Sequence, residues 1–368
     1  MANLSNEPTD FIIFKKEIHV AQFAPAPKPE ETPLKPGQVR FRLGTFAFTA
    51  NNVTYAAFGE AMSYWKFFPV TKEGYGRVPV WGFADVVESR NEAVKVGQRF
   101  YGYFPISTYL TIDAGRVTGS TLVDAAAHRA DLPPVYNQYV RVDSDPAHSR
   151  EKEGISAIFR PLFVTSFLLD DSFAEKDYFG AKQIILSSAS SKTALGMAYL
   201  MSKSRKGKVE IVGLTSARNL GFTKDLGYYD RVVSYDDIAK LDATKPAVFI
   251  DFSGDARIVR AVHTHFGDTL KYSSQVGATH WEEIAQPHDL PGPKPVLFFA
   301  PDHARRRLQV WGSAEFQSRT TAALNDFIAA AGKWICIVEG RGPKAVEAAY
   351  HAVLNGEASP AEGHVLSL

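Results

Sequence analysis

The chain has 368 residues, with 41 Lys plus Arg against 40 Asp plus Glu and a formal net charge of +1. That length is enough for roughly two to three domains with a large buried core, and the near-neutral charge argues against a dedicated nucleic-acid or anionic-membrane binder. A single cysteine, Cys336, excludes an intrachain disulfide, a Cys-rich zinc ribbon, a Cys-x-x-Cys redox pair and a Cys-ligated iron–sulfur cluster. The opening MANLSNEPTD lacks the basic-then-apolar pattern of a secretory signal, and no apolar run approaches the roughly 20 residues of a membrane helix. The expectation is a soluble, cytoplasmic globular protein with no nucleic-acid or membrane partner.

Residues 24–36, rich in Pro, Lys and Glu, read as an extended or turn-rich stretch. Residues 39–48 alternate like a strand, with Val39, Phe41 and Leu43 on one side, and residues 78–88 and 99–104 read as two more, punctuated by Gly82 and Gly97. Residues 106–135 match neither period; a cap over a cleft and a homodimer contact are both open for them. Aromatic residues concentrate in this third, at Tyr64-Trp65-Lys66-Phe67-Phe68 and Tyr101-Gly102-Tyr103-Phe104. Trp65, Phe67 and Phe68 are core residues on the plainer reading.

The pattern changes near Glu153. From Gln183 onward, short apolar runs (QIILS, VEIVGL, RVVS, AVFID, LKYSSQVGA, VLFFA) alternate with helical segments at 193–202, 219–226 and 256–266. That alternation predicts an α/β arrangement of βαβ units around a mostly parallel sheet, with both faces covered because the strands are apolar throughout. A helix over 319–331, a strand over 334–338, a helix over 343–354 and a final strand over 364–368 complete the chain. The basic triplet Arg305-Arg306-Arg307 reads as a solvated helix face, with a phosphate contact as the alternative. His263 and His265 lie two apart in a predicted helix and do not face one another, so they make a poor metal pair. His280 follows a predicted sheet strand and is a weaker binding candidate.

In a doubly wound sheet, backbone N–H groups of the first βα turn hold phosphate. Here that turn reads Ser187-Ser188-Ala189-Ser190-Ser191-Lys192-Thr193, with neither a G-x-G-x-x-G nor a G-x-x-x-x-G-K-[ST] pattern. Its residues are small enough for close backbone approach, and Lys192 and the hydroxyls add donors. An ordinary Ser N-cap explains the same residues. The second strand ends Leu214-Thr215-Ser216-Ala217-Arg218-Asn219, with no acidic residue between Ile211 and Phe222. An NAD-preferring site carries a carboxylate there, whereas a basic residue suits a 2′-phosphate. Arg218 therefore favours NADP(H) over NAD, the alternative being a solvated loop arginine.

Several motifs, in order, resemble the medium-chain dehydrogenase/reductase superfamily, particularly its zinc-independent quinone oxidoreductase and enoyl reductase branches. Thr49-Ala50-Asn51-Asn52-Val53-Thr54-Tyr55 looks like the family's Asn-containing segment after its opening strand. Val78-Pro79-Val80-Trp81-Gly82-Phe83-Ala84-Asp85 is similar to the P-x-x-P-G-H-E strand, with Phe83 and Ala84 at the zinc-site His and Glu positions. Val94-Lys95-Val96-Gly97-Gln98-Arg99-Phe100 matches its hkvGDRV turn. Ser188–Ala194 falls on the A-x-x-G-G-V-G turn, with Ser191, Lys192 and Ala194 replacing glycines. Leu226-Gly227-Tyr228-Tyr229-Asp230 resembles the L-G-A-D helix end, and the tail 356–368 the closing G-K-x-V-L strand. Residues 160–171, RPLFVTSFLLDD, look like the signature of an uncharacterised, domain-of-unknown-function branch.

The resemblance implies a GroES-like β-rich catalytic domain from residues 1–155 and 330–368, and a Rossmann cofactor-binding domain from 156–329. It implies a zinc-independent NADP(H)-dependent oxidoreductase, with no metal, that transfers hydride to a small carbonyl, enone or quinone. A non-redox lyase or transferase step, or a non-catalytic NADPH-binding protein, is the alternative. In relatives the segment 51–65 lines the interdomain cleft, so the implied catalytic set is Tyr55 as hydrogen-bond or proton donor, Asn52, and Tyr64 in reserve. The implied cofactor set is Ser190, Ser191, Lys192 and Thr193 at the pyrophosphate and Ser216 and Arg218 at the 2′-phosphate. Gly254 lies beside the ribose, Gly277 and Ala278 beside the nicotinamide, and Thr165 on the helix leading in.

Overall fold

A run of strands opens the chain: β1 (Thr9–Phe14), β2 (Ala21–Pro25), β3 (Gln38–Phe48), β4 (Tyr75–Gly76), β5 (Pro79–Ser89), β6 (Arg99–Pro105), β7 (Tyr109–Val117), β8 (Thr121–Asp124) and β9 (Gln138–Arg141), with helix α1 (Ala50–Ala57) after β3. The computed structural model describes residues 7–145, 148–205, 207–276 and 289–368. It divides into two units, residues 1–158 with 336–368, and residues 159–335.

In the first unit β3, β5, β6, β9, β8 and β7 pair antiparallel in that order, and β7 pairs back onto β3, so the six strands close a ring. Phe41 sits inside it, its ring 5.5 Å from those of Phe100 and Tyr139. Strands β7 and β8 come from the stretch that the sequence pattern left unassigned. Most of β7 is exposed or half-buried, so it lacks the apolar alternation by which a strand is recognised. Closing the ring removes the free edges of these six strands. The chain returns to this unit at its end with β16 (Cys336–Arg341), α7 (Pro343–Leu354) and β17 (Glu362–Ser367), which pairs antiparallel with β3 and parallel with β16.

The second unit holds α2 (Glu153–Glu175) from Phe159 onward, β10 (Gln183–Leu186), α3 (Lys192–Ser204), β11 (Glu210–Thr215), α4 (Leu220–Asp225), β12 (Arg231–Ser234), β13 (Ala247–Asp251), α5 (Ala256–Phe266), β14 (Leu270–Gln275), β15 (Val296–Leu297) and α6 (Ala300–Ala331). All six strands are parallel, in the order β12-β11-β10-β13-β14-β15. Successive residues of a strand point to opposite faces. Ile184, Leu186, Val248 and Ile250 therefore pack with Leu168, Leu195 and Met201 on one side. Ile185, Val212 and Phe249 pack with Val259, Val262 and Phe266 of α5 on the other. This accounts for the uninterrupted apolar runs. The strand order reverses between β10 and β13, the topological switch point where open α/β sheets bind ligands.

Two readings of the sequence need correction here. The helix placed at 319–331 begins at Ala300, with a break at Gly312 (φ +77°). In the basic triplet on it Arg305 and Arg306 are exposed, as expected of a solvated face, but Arg307 is not: it is only 7% exposed, its Nε 2.5 Å from Asp171 Oδ2 and its Nη1 3.1 Å from Glu175 Oε1, both on α2. Arg306 pairs with Glu175 as well, and Arg305 with Asp302. The histidine pair has structural partners: His263 bonds Ser273 Oγ and the Pro291 carbonyl at 2.9 Å, and His265 the Leu241 carbonyl. No helix among the described residues is long and apolar enough to cross a membrane.

Candidate functional site

The turn between β10 and α3 lies at one lip of the switch point and is tied to its surroundings by side chains. Ser187 Oγ donates to Asp251 Oδ1 at 2.6 Å and accepts from the N–H groups of Phe252 and Ser253 at 2.8 and 3.1 Å. Asp251, 3% exposed at the end of β13, also accepts from Ser253 Oγ, Ser253 N and Gly254 N. Burial raises its pKa above the ordinary carboxylate value, against the pull of those donors. The ends of β10 and β13 are thus joined through one carboxylate. Next along the turn, Ser188 adopts φ +46° and its N–H donates to the Tyr235 hydroxyl at 2.9 Å. The Ala189 carbonyl accepts from Tyr229 Oη at 2.8 Å, and Ser190 Oγ accepts from Thr215 Oγ1 and Asn219 Nδ2 at 3.3 and 3.1 Å.

Ser191 is the N-cap of α3, its Oγ accepting from Ala194 N at 3.4 Å, and Ser191, Lys192 and Thr193 are half-buried at the positive end of the helix dipole. Ser190, by contrast, is buried and braces the turn against β11. Thr165 is half-buried on α2. Its neighbour Ser166, which sequence reasoning passed over, is fully buried and donates to the carbonyl of Thr193 at 2.7 Å. Gly196 permits that approach, since a Cβ there would lie 2.7 Å from Ser166 Oγ. Beyond β11, Ser216 is half-buried and Arg218 exposed. Gly254 is buried at φ +70° with its N–H on Asp251. Gly277, Ala278 and His280 lie outside the described residues.

In the first unit, α1 starts at the cap Thr49, whose N–H donates to Asn52 Oδ1 at 2.8 Å, while Asn52 Nδ2 donates to the Pro79 carbonyl at 2.8 Å. Asn52 is buried, and its amide ties the helix start to β5. Tyr55, three residues on, points into an aromatic cluster. Its hydroxyl accepts from Trp81 Nε1 at 3.1 Å, and its ring centroid lies 4.6 Å from that of Tyr64 and 5.5 Å from that of Tyr103. Tyr136 closes the group, 4.7 Å from Tyr103. Burial pushes all four phenols above their ordinary pKa, so each stays neutral and keeps a proton to donate. Tyr103 Oη is buried with no hydrogen-bond partner among the described residues. Trp65, Phe67 and Phe68 are buried in this unit, Phe67 and Phe68 within the same cluster. Tyr103 and Tyr136 join the cluster only through the fold; the aromatic-rich strand was a signal for Tyr103, and Tyr136, in a turn after Pro133-Pro134, had none.

At the positions that match the zinc-site His and Glu, Phe83 and Ala84 are buried. Beside Phe83, Arg99 makes a two-pronged ion pair with Glu153 at 2.9 and 2.8 Å and donates to Asp85 at 2.6 Å, and His148 bonds Glu153 at 2.9 Å. Burial pushes the Glu153 carboxyl up, but Arg99 and His148 outweigh it and hold its pKa below the usual value. Among the described residues no group of three or more His, Cys, Asp or Glu is arranged to hold a metal ion.

Residues 46–359 match the family model described as "Protein of unknown function (DUF2855)". No curated protein matches the sequence. Solved structures similar in fold include CurA from Vibrio vulnificus in complex with NADPH, 13% identical over 94% of each chain with a TM-score of 0.62. The yhdH oxidoreductase from Salmonella enterica in complex with NADP is 14% identical over 98% of this chain and 99% of that one, with a TM-score of 0.56. A mutant form of enoyl thioester reductase from Candida tropicalis is 10% identical over 98% and 100%, with a TM-score of 0.54. The likeness shows the fold: a β-rich unit and a parallel-sheet Rossmann unit.

Proposed function

The chain belongs to the DUF2855 family, and from its fold and the chemistry of its first βα turn we propose that it is a zinc-independent, NADPH-dependent oxidoreductase acting on a small carbonyl, enone or quinone. The carrying observation is the half-buried Ser191-Lys192-Thr193 run at the start of α3, beside the switch point, with Arg218 following β11. Helix-start N–H groups and Lys192 suit a pyrophosphate, and Ser216 with Arg218 suit a 2′-phosphate. That CurA and yhdH were solved with NADPH and NADP supports the same cofactor. In this reading the parallel-sheet unit binds the cofactor and the β-rich unit supplies the reaction groups, with Gly254, Gly277, Ala278 and Thr165 near the ribose and nicotinamide.

Bound NADPH supplies a hydride to the electrophilic carbon of the substrate. The protein's share is to stabilise the oxygen that gains charge. Tyr55, with Tyr64 in reserve, is the donor we assign. The burial that raises the Tyr55 pKa makes a phenolate in that cluster costly. Tyr55 therefore acts by hydrogen bonding while solvent delivers the net proton. Asn52 acts indirectly, by fixing the helix that carries Tyr55. Zinc independence rests on the apolar pair Phe83 and Ala84 and on the Arg99–Glu153 pair beside them.

Fluorescence titration with NADPH and NADH tests the proposal. NADPH binds more tightly, and Arg218→Ala weakens NADPH about tenfold while leaving NADH nearly unchanged, as loss of a charge-assisted contact predicts. Failure of the unmodified protein to bind either dinucleotide overturns the reading.

A further inference from the structure

A phosphate-binding turn needs a backbone that bends sharply and stays bent, and glycine ordinarily provides the bend. This turn has no glycine, yet Ser188 takes φ +46°, a region that residues with a Cβ disfavour. Such a conformation persists only where the surroundings over-determine it. Two tyrosines that flank β12 do so. Tyr235, just after the strand, accepts from the N–H of Ser188 at 2.9 Å, and Tyr229, just before it, donates to the carbonyl of Ala189 at 2.8 Å. The N–H of Ala189 donates to the Leu214 carbonyl at 2.9 Å. Consecutive residues of the turn are therefore gripped from both ends of one strand.

The glycine missing from the turn reappears one strand away. A Cβ on Gly213, in β11, would lie 2.9 Å from the Ala189 Cβ and 2.9 Å from Cδ1 of Tyr229. Gly213 makes room both for the turn and for the ring that holds it. Tyr229 is buried and Tyr235 half-buried, and desolvation holds both phenols neutral.

We propose that Tyr229 and Tyr235 are positioning residues that hold the serine turn in its cofactor-binding shape, supplying with side chains the definition that glycines supply elsewhere. The link to cofactor binding rests on the function proposed above; the grip on the turn does not.

The test pairs hydrogen–deuterium exchange on the cofactor-free full-length protein with NADPH titration. Tyr235→Phe speeds exchange across residues 186–191 about 3–10-fold, the range for one lost hydrogen bond, and weakens NADPH by a similar factor. Tyr229→Phe, a second and equally mild variant, gives the same exchange signature. Adding Ser188→Gly to Tyr235→Phe recovers most of the lost affinity, because glycine is at ease at positive φ; a tyrosine that merely filled space is not rescued in this way. Unchanged exchange in both variants overturns the proposal. Faster exchange with unchanged NADPH affinity overturns its cofactor half. If the unmodified protein binds neither dinucleotide, the proposed function fails, and the exchange data still decide the grip.

Discussion

Asp170 is a carboxylic acid placed where its ionised form is disfavoured. Burial pushes its pKa from 3.8 up to about 6, with Arg205, 3.6 Å away, recovering only part of the loss. Between those values the folded state holds a proton that the unfolded chain has released. The group's contribution to stability is therefore complete below about pH 4 and is lost as pH rises through about 6. The interval corresponds to about 3 kcal/mol. Asp170→Asn should flatten this part of the pH profile and stabilise the protein at about pH 8, offset by what Arg205 loses with its partner. Urea unfolding on either side of the interval measures it; parallel profiles for variant and parent contradict the assignment.

Among elements, α6 shows how a local pattern misleads. Three successive arginines on a helix point in different directions, about 100° apart, so one of them can be buried while the others are not. Arg307 faces α2 and meets Asp171 and Glu175, whereas Arg305 pairs with Asp302 on its own helix. Trp311 stacks with Arg307 and Arg319, at 4.9 and 4.6 Å, one on either side of the break at Gly312. Arg307 is the buried member, while its partners are half-buried (Asp171) and exposed (Glu175), so its removal leaves carboxylates that water screens and costs mainly the packed stem and its contact with Trp311. Arg307→Ala should cost about 1–2 kcal/mol and lower Tm by roughly 2–8 °C, while Arg305→Ala stays within about 0.5 kcal/mol. Thermal melts of the two variants read this directly, and equal shifts would disprove the packing role of Arg307.

At the scale of the molecule, the two units have separate cores, one with aromatic side chains packed around Phe41 inside a closed ring, the other built on aliphatic strands between helices. Ligand binding to the folded form adds free energy by mass action, about 2.7 kcal/mol at a hundredfold excess over Kd. NADPH should therefore protect amides of residues 183–255 against hydrogen exchange, in proportion to its concentration, with NADH less effective at equal concentration. Protection that is equal for both dinucleotides contradicts the role given to Arg218.

The α/β class and most strands and helices of the second unit followed from the sequence, because burial on two faces writes itself into consecutive residues: QIIL and AVFID are apolar at every position or nearly so. The location of a small-residue turn after the first such strand followed for the same reason. What holds that turn did not. Ser187 meets Asp251 across 64 residues, Ser188 meets Tyr235 across 47, and Arg307 meets Asp171 across 136. Periodicity reports which face of an element is buried, not which distant residue will lie opposite. Asn52 is the clearest case, since its amide type suits a ligand contact and a helix cap equally. Only the packing of α1 beside Pro79 decided that it secures a helix start, because a buried amide takes the partners that the surrounding backbone leaves within reach.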